Sequence, residues 1–231
     1  MYDYRNSKHF TKYTDPGSGV VSYILTTRAA AYQQGFYFVN SGFSDDGRYL
    51  WFYGANPPEP GHFLCLVDFE ADTVSAIEGT YGLGFYVDPA DGCAYWCHRE
   101  KGLLMHEPRA DAPVRVIAEI PEEIRALGVS YLATHLTRIP GSDAFLIDFQ
   151  TSAGSIIGAL STKDESFTEW YRTEPGTKYN HAQCHPTDPH RFLCAHEGGE
   201  DPVTHKFIPP PMVDGIYPRS SSSRMPGSAP C

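Results

Sequence analysis

Histidine is unevenly spread along this chain: five of its ten histidines fall between positions 181 and 205. In YNHAQCHPTDPHRFLCAHEG (179–198), His181, Gln183 and His185 recur with period two, so on a strand they share one side. His196 and Glu197 follow after a turn. Imidazoles titrate close enough to neutrality to move a proton, and with a carboxylate nearby they can also hold a divalent ion. His185, beside Pro186, and His190, in the turn, read as surface residues, and His106 and His205 sit in polar loops. Asp188 of PTDP reads as a turn cap. Other catalytic patterns are missing. GSGVV (17–21) and GLGFYVD (82–88) lack the strand-to-helix setting that a phosphate-binding loop needs, and there is no GxSxG or HExxH.

The elements that must position these residues follow a repeat. YFVNSGFSDDGRYLWFYGA (37–55), GFYVDPADGCAYWCHRE (84–100), ATHLTRIPGSDAFLIDFQ (133–150) and the 180–198 segment share one shape. Each has a short strand, a turn rich in Asp, Gly or Pro, and an apolar second strand. Turns aligned on Gly47, Gly92, Gly141 and Pro189 are 45, 49 and 48 residues apart. Periods of about 40–50 with four short strands each mark β-propeller blades. HFLCLVDFE (62–70) and SIIGALST (155–162) read as third strands, and TVSAIEG (73–79) and TEWYRTE (168–174) as fourth strands. Only PEEIRALG (121–128) reads as helix, with Pro and two acids at its start and Gly at its end.

The expected architecture is therefore all-β, a partial β-propeller over 1–198 with blades near 37–79, 84–119, 133–174 and from 180–198 onward. HFTKYTDPGSGVVSYILTT (9–27) supplies two strands before the first blade. Residues 199–231 lose the pattern, with PPP at 209–211 and SSSS at 220–223. They read as an irregular tail, or as a next blade begun at VDGIYPR (213–219) and cut short. Residues 220–231 are expected to pack against nothing.

In a blade the start of the first strand and the end of the second meet at one rim of the channel. That gathers Tyr37, Asn40 and Asn56 from the first blade, and His98 and Arg99 from the second. The third adds His135 and Gln150, and the fourth His181, Gln183, His196 and Glu197.

Composition narrows the partners. Eighteen Lys and Arg against 28 Asp and Glu leave a net charge of −10, with no clustered basic patch for nucleic acid or an anionic membrane. An anionic substrate remains compatible, because a few Arg, His or metal charges dominate a pocket locally. No run approaches the roughly 18 apolar residues of a membrane span, and MYDYRNSKHF has no apolar signal core. The expectation is a cytoplasmic protein whose six cysteines are reduced thiols, Cys93 and Cys97 being core residues rather than a metal or redox pair.

At the fourth blade the residues become recognisable. The His-x-Gln strand, Pro-Thr-Asp-Pro turn and strand ending near Cys-His-Glu-Gly in 179–198 resemble those of oligogalacturonate lyases. FYFVNSGFSDDGRYLWF (36–52) is similar to that family's first complete hairpin, and KYTDPGSGVVSYILTT (12–27) to its opening segment. The resemblance spans most of 9–198.

It implies a seven-bladed propeller, of which about four blades are present here. It also implies a cytoplasmic role in pectin breakdown by β-elimination of short, often unsaturated oligogalacturonates, with Mn²⁺ or a similar divalent cation. By matched position, His181 would be the catalytic base and His196 its neighbour. Gln183, Arg99, His135 and Asn40 are the expected substrate-binding residues. An acidic oligosaccharide would be the partner. The chain departs from the family pattern in three places. SIIGAL (155–160) stands where the family has an Arg, Ala195 separates Cys194 from His196, and the family's metal-binding His and Gln run belongs to later blades. A non-catalytic propeller that binds a glycan or a protein, or an inactive truncated lyase, is the alternative.

Overall fold

The computed structural model describes residues 2–37, 39–201, 203–204, 206–210 and the backbone of 221–224. It is built of antiparallel strands with a single four-residue α-helix among the described residues, so the all-β expectation holds. A hairpin of β1 (Phe10–Thr14) and β2 (Val21–Leu25) comes first. Next is a sheet of β3 (Tyr32–Gln34), β4 (Tyr49–Ala55), β5 (Phe63–Asp68) and β6 (Thr73–Ala76) in chain order. A second four-stranded sheet holds β7 (Leu83–Val87), β8 (Ala94–His98), β9 (Gly102–His106) and β10 (Arg115–Ala118). Helix α1 (Glu122–Arg125) follows, with Pro121 at its N-cap and Gly128 in the left-handed region just beyond it.

The third sheet holds β11 (Tyr131–Leu132), β12 (Thr137–Arg138), β13 (Ala144–Thr151), β14 (Gly154–Ser161) and β15 (Phe167–Arg172). The fourth pairs β16 (Thr177–Cys184) with β17 (Arg191–Glu200), onto which β18 (Phe207–Ile208) and β19 (Ser221–Arg224) also add. The chain divides into two compact units. Met1–Gly82, Tyr86–Tyr95 and Met105–Arg115 form one, and Leu83–Phe85, Trp96–Leu104 and Val116–Cys231 the other.

One turn recurs in each of the four sheets. The N–H of Ser44 donates to Tyr49 O (3.1 Å), that of Asp88 to Cys93 O (3.0 Å) and that of Ile139 to Ala144 O (2.9 Å). His185 N–H donates to Arg191 O (3.0 Å), across a turn one residue longer. In the first three, Gly47, Gly92 and Gly141 carry φ of 70°, 69° and 69°, a conformation that costs L-residues a Cβ clash. These turns fix where each hairpin reverses.

Cores form on both sides of the long strands. In the second unit, Leu146 of β13 and Ile157 of β14 pack with Trp170, Ala182, Phe192 and Cys194. Each large apolar side chain among them contributes about 1.5–3 kcal/mol on burial. Phe145, Leu146, Ile147, Asp148 and Phe149 are all fully buried, so β13 is covered on both faces. In the first unit, Phe52, Phe63, Cys65 and Val67 form the corresponding core.

Two expectations need correction. The first strand of the first sheet, expected to open the 37–55 segment, lies at Tyr32–Gln34, where Tyr32 pairs with Ala55. Asn40 N–H instead closes a tight turn onto Tyr37 O (2.9 Å), and the ladder resumes only at the Phe43–Leu50 bridge. The stretch from 199 on is not irregular throughout. Gly199 and Glu200 pair with Ile208 and Phe207, and Ser221–Arg224 pairs along Arg191–Cys194, supplying backbone partners to β17. VDGIYPR lies outside the described residues.

Candidate active site

Strand β13 decides what faces β16. Alternation puts Leu146, Asp148 and Gln150 on one side. Leu146 packs with Ala182 and Phe192 in the apolar core. Two residues further on, Asp148 is fully buried and accepts from Thr134 Oγ1 (2.7 Å) and Thr134 N (3.0 Å). Two residues beyond that, Gln150 Nε2 donates to Tyr179 O (2.8 Å). The face thus turns from apolar to polar along the strand.

Opposite this polar end, β16 is irregular. Its pairing with β17 runs Tyr179–His196 and Asn180–Ala195, then shifts and resumes at Gln183–Leu193. His181 sits in the shift with φ of 53°, a left-handed conformation that costs a β-carbon residue about 1–2 kcal/mol. Its backbone N–H donates to Thr134 Oγ1 (2.6 Å). Its ring lies 4.6 Å from that of His135, and its Nε2 is 3.3 Å from Glu197 Oε1. Glu197 Oε2 also accepts from Asn180 Nδ2 (2.7 Å). A cavity of about 380 Å³ opens beside the group, lined by Ser130, Tyr131, Thr134, Gln150, Lys178, Asn180 and His181.

Burial sets the charges here. It pushes His135 down to about 4, with a further lowering from His181 beside it, so His135 is neutral at pH 7. Burial pushes Asp148 up to about 6, against the hydrogen bonds from Thr134 and the His135 amide that favour its charge. Cys97, fully buried and close to Asp148, is driven far above the ordinary thiol range and is inert.

Of the residues expected at the site, His181, His135 and Glu197 come together. Arg99 donates through Nη2 to the carbonyl of Ser130, a residue of the cavity wall. His196 takes a different position: it stacks on Tyr179, its cross-strand partner, with centroids 4.4 Å apart and planes 11° apart. Burial lowers its pKa. Gln183 is half-buried past the shift, opposite Leu193. Asn40 belongs to the turn of the first unit. Sequence reasoning misses Thr134, Asp148, Lys178 and Asn180. The one legible signal among them is Asp148, a lone acid inside the apolar run FLIDF.

Among the described residues no group of three His, Cys, Asp or Glu is arranged to hold a metal ion. His181 and Glu197 supply two donors, already directed at each other and at Asn180. These residues do not fit a manganese site.

The repeated four-stranded sheets, with polar groups gathered where one blade's strands begin and end, place the chain in the β-propeller class. No family profile and no curated protein sequence matches it. Among solved structures it is similar to the oligogalacturonate lyase of Vibrio parahaemolyticus, at 15% identity and a TM-score of 0.63. It is also similar to an oligogalacturonate lyase in complex with manganese, at 18% identity and a TM-score of 0.64. Each likeness covers 84% of this chain and 54% of the other, so the chain spans about half the length of these lyases. At such identities the likeness is one of fold.

Proposed function

We propose that the cavity beside His181 takes the uronate end of a short oligogalacturonide and that the chemistry it serves is β-elimination. The observation that carries this is the position of His181, whose left-handed backbone sets Nε2 toward the Glu197 carboxylate at 3.3 Å, beside a cavity lined by Lys178, Asn180 and Gln150. In the reaction a base removes the proton at C5 of the uronate. The C4–O bond then breaks, its electron pair leaving with the glycosyl oxygen, which takes a proton from water, and C4=C5 forms.

His181 Nδ1 is enclosed, so the ring exchanges its proton through Nε2, which faces Glu197 at 3.3 Å and must turn from that carboxylate to the substrate C5–H to act as the base. Glu197 stabilises the imidazolium that results. Lys178 offsets the charge that builds on the substrate carboxylate, and Asn180 and Gln150 orient its hydroxyls. Mn²⁺ belongs to the reading through the resemblance alone; this chain's part is proton removal and substrate orientation. The cytoplasmic setting and the role in pectin breakdown are proposed on the same ground.

Incubating the protein with digalacturonate and Mn²⁺ and following the unsaturated uronide tests this. Turnover is expected, and His181→Ala is expected to lower it by about 10²-fold or more. Turnover unchanged in His181→Ala would remove His181 from the mechanism. A second reading, glycan binding without turnover, is favoured by the lack of a three-ligand metal set among the described residues. Saturable digalacturonate binding with no product identifies it.

A further inference from the structure

We infer that Thr134 and Asp148 form a buried positioning device for His181, holding its backbone in the left-handed conformation that sets the imidazole over the cavity. The inference rests on the role proposed for His181. It starts from an energetic imbalance. A non-glycine residue at φ of 53° lies above an ordinary strand conformation in energy and persists only where its surroundings over-determine it. The surroundings here are one hydrogen-bond chain.

Asp148 is fully buried within β13. It accepts the hydroxyl proton of Thr134 at 2.7 Å. With its proton committed, Thr134 Oγ1 turns a lone pair outward, and the His181 N–H donates to it at 2.6 Å. A second bond, from Thr134 N to Asp148 Oδ1 at 3.0 Å, fixes the backbone that carries the hydroxyl. The carboxylate thus acts on His181 at one remove, through a threonine that also lines the cavity.

The same two segments provide a comparison. Three residues along, Thr137 Oγ1 accepts from Cys184 N at 3.0 Å, tying β12 to the far end of β16 with no bearing on His181. The two threonines anchor the same strand and differ in what they position; Thr134 also satisfies the buried Asp148 carboxylate, so Thr134→Ser, which keeps that bond, is the variant that separates positioning from structural cost.

The experiment compares Thr134→Val, Thr134→Ser and Thr137→Val in the intact chain by NMR and by turnover of digalacturonate with Mn²⁺. Thr134→Val is expected to accelerate hydrogen exchange at the His181 amide and to weaken the ring contact between His135 and His181. It is also expected to lower kcat about tenfold or more, with KM within about twofold. Thr134→Ser keeps the hydroxyl and restores all three, and Thr137→Val leaves them as in the parent. If Thr134→Val does not fold, Thr134→Ala removes the hydroxyl with no added bulk and gives the same readouts. The same exchange rates and ring contacts in the position-134 and position-137 variants would overturn the inference. Altered His181 geometry in a protein that shows no lyase turnover would support the positioning role and defeat the lyase reading, so the two failures are distinct.

Discussion

Two residues near the cavity carry an energetic cost that titration and denaturation can read. Asp148 has its pKa raised from 3.8 to about 6 because burial penalises the carboxylate more than its hydrogen bonds reward it. A raised folded-state pKa favours the protonated form in the fold. The contribution is therefore fully present below about pH 4 and is lost as pH rises through about 6. Asp148→Asn should remove that slope, read from urea midpoints across pH 4–7. A slope that persists in the variant would mean another group sets it. His181 is the second case. His181→Gly and His181→Ala both delete the imidazole, but only glycine relaxes at φ of 53°. The glycine variant should be the more stable of the two by about 1 kcal/mol. Equal midpoints would show that the conformation is not strained.

Among the elements, the β14–β15 pair shows what the sheet tolerates. The register shifts between Ile157 and Gly158, and a Cβ at Gly158 would stand 2.3 Å from Thr168 O and 2.5 Å from the Phe167 ring. Gly158→Ala should cost about 2 kcal/mol or more by forcing the strands apart, measured as a lower thermal midpoint. Little change would mean that the pair can part cheaply.

The elements also show which features sequence patterns expose. Hairpin turns are legible because Gly47, Gly92 and Gly141 are needed where φ is positive, and a period of glycines survives in the letters. The first strand of the first sheet is misplaced from sequence because YFVNSGF has strand composition, while the turn from Tyr37 to Asn40 is a backbone bond with no strong residue signal. Strand order groups His196 with His181. The pairing of Tyr179 with His196 puts that imidazole on an aromatic ring, and only the register reveals it. Asp148 stands out as an acid among apolar residues. Thr134 does not, since its role depends on a contact 47 residues away.

For the chain as a whole, a net charge of −10 opposes an acidic ligand at long range, so local cations must supply the attraction. Lys178 lines the cavity. Lys178→Met should weaken digalacturonate binding about tenfold and leave binding of a neutral disaccharide unchanged, as measured by calorimetry. Equal loss for both sugars would assign Lys178 a packing role. On the proposed reading, the cavity at the β13–β16 end is where a uronide binds. The measurement that tests it most directly is NMR titration of the protein with digalacturonate, with neutral galactobiose as the control. Saturable shifts centred on Lys178, Asn180, His181 and Gln150 are expected with the acidic sugar alone. Shifts centred elsewhere, or the same response to both sugars, would contradict that reading.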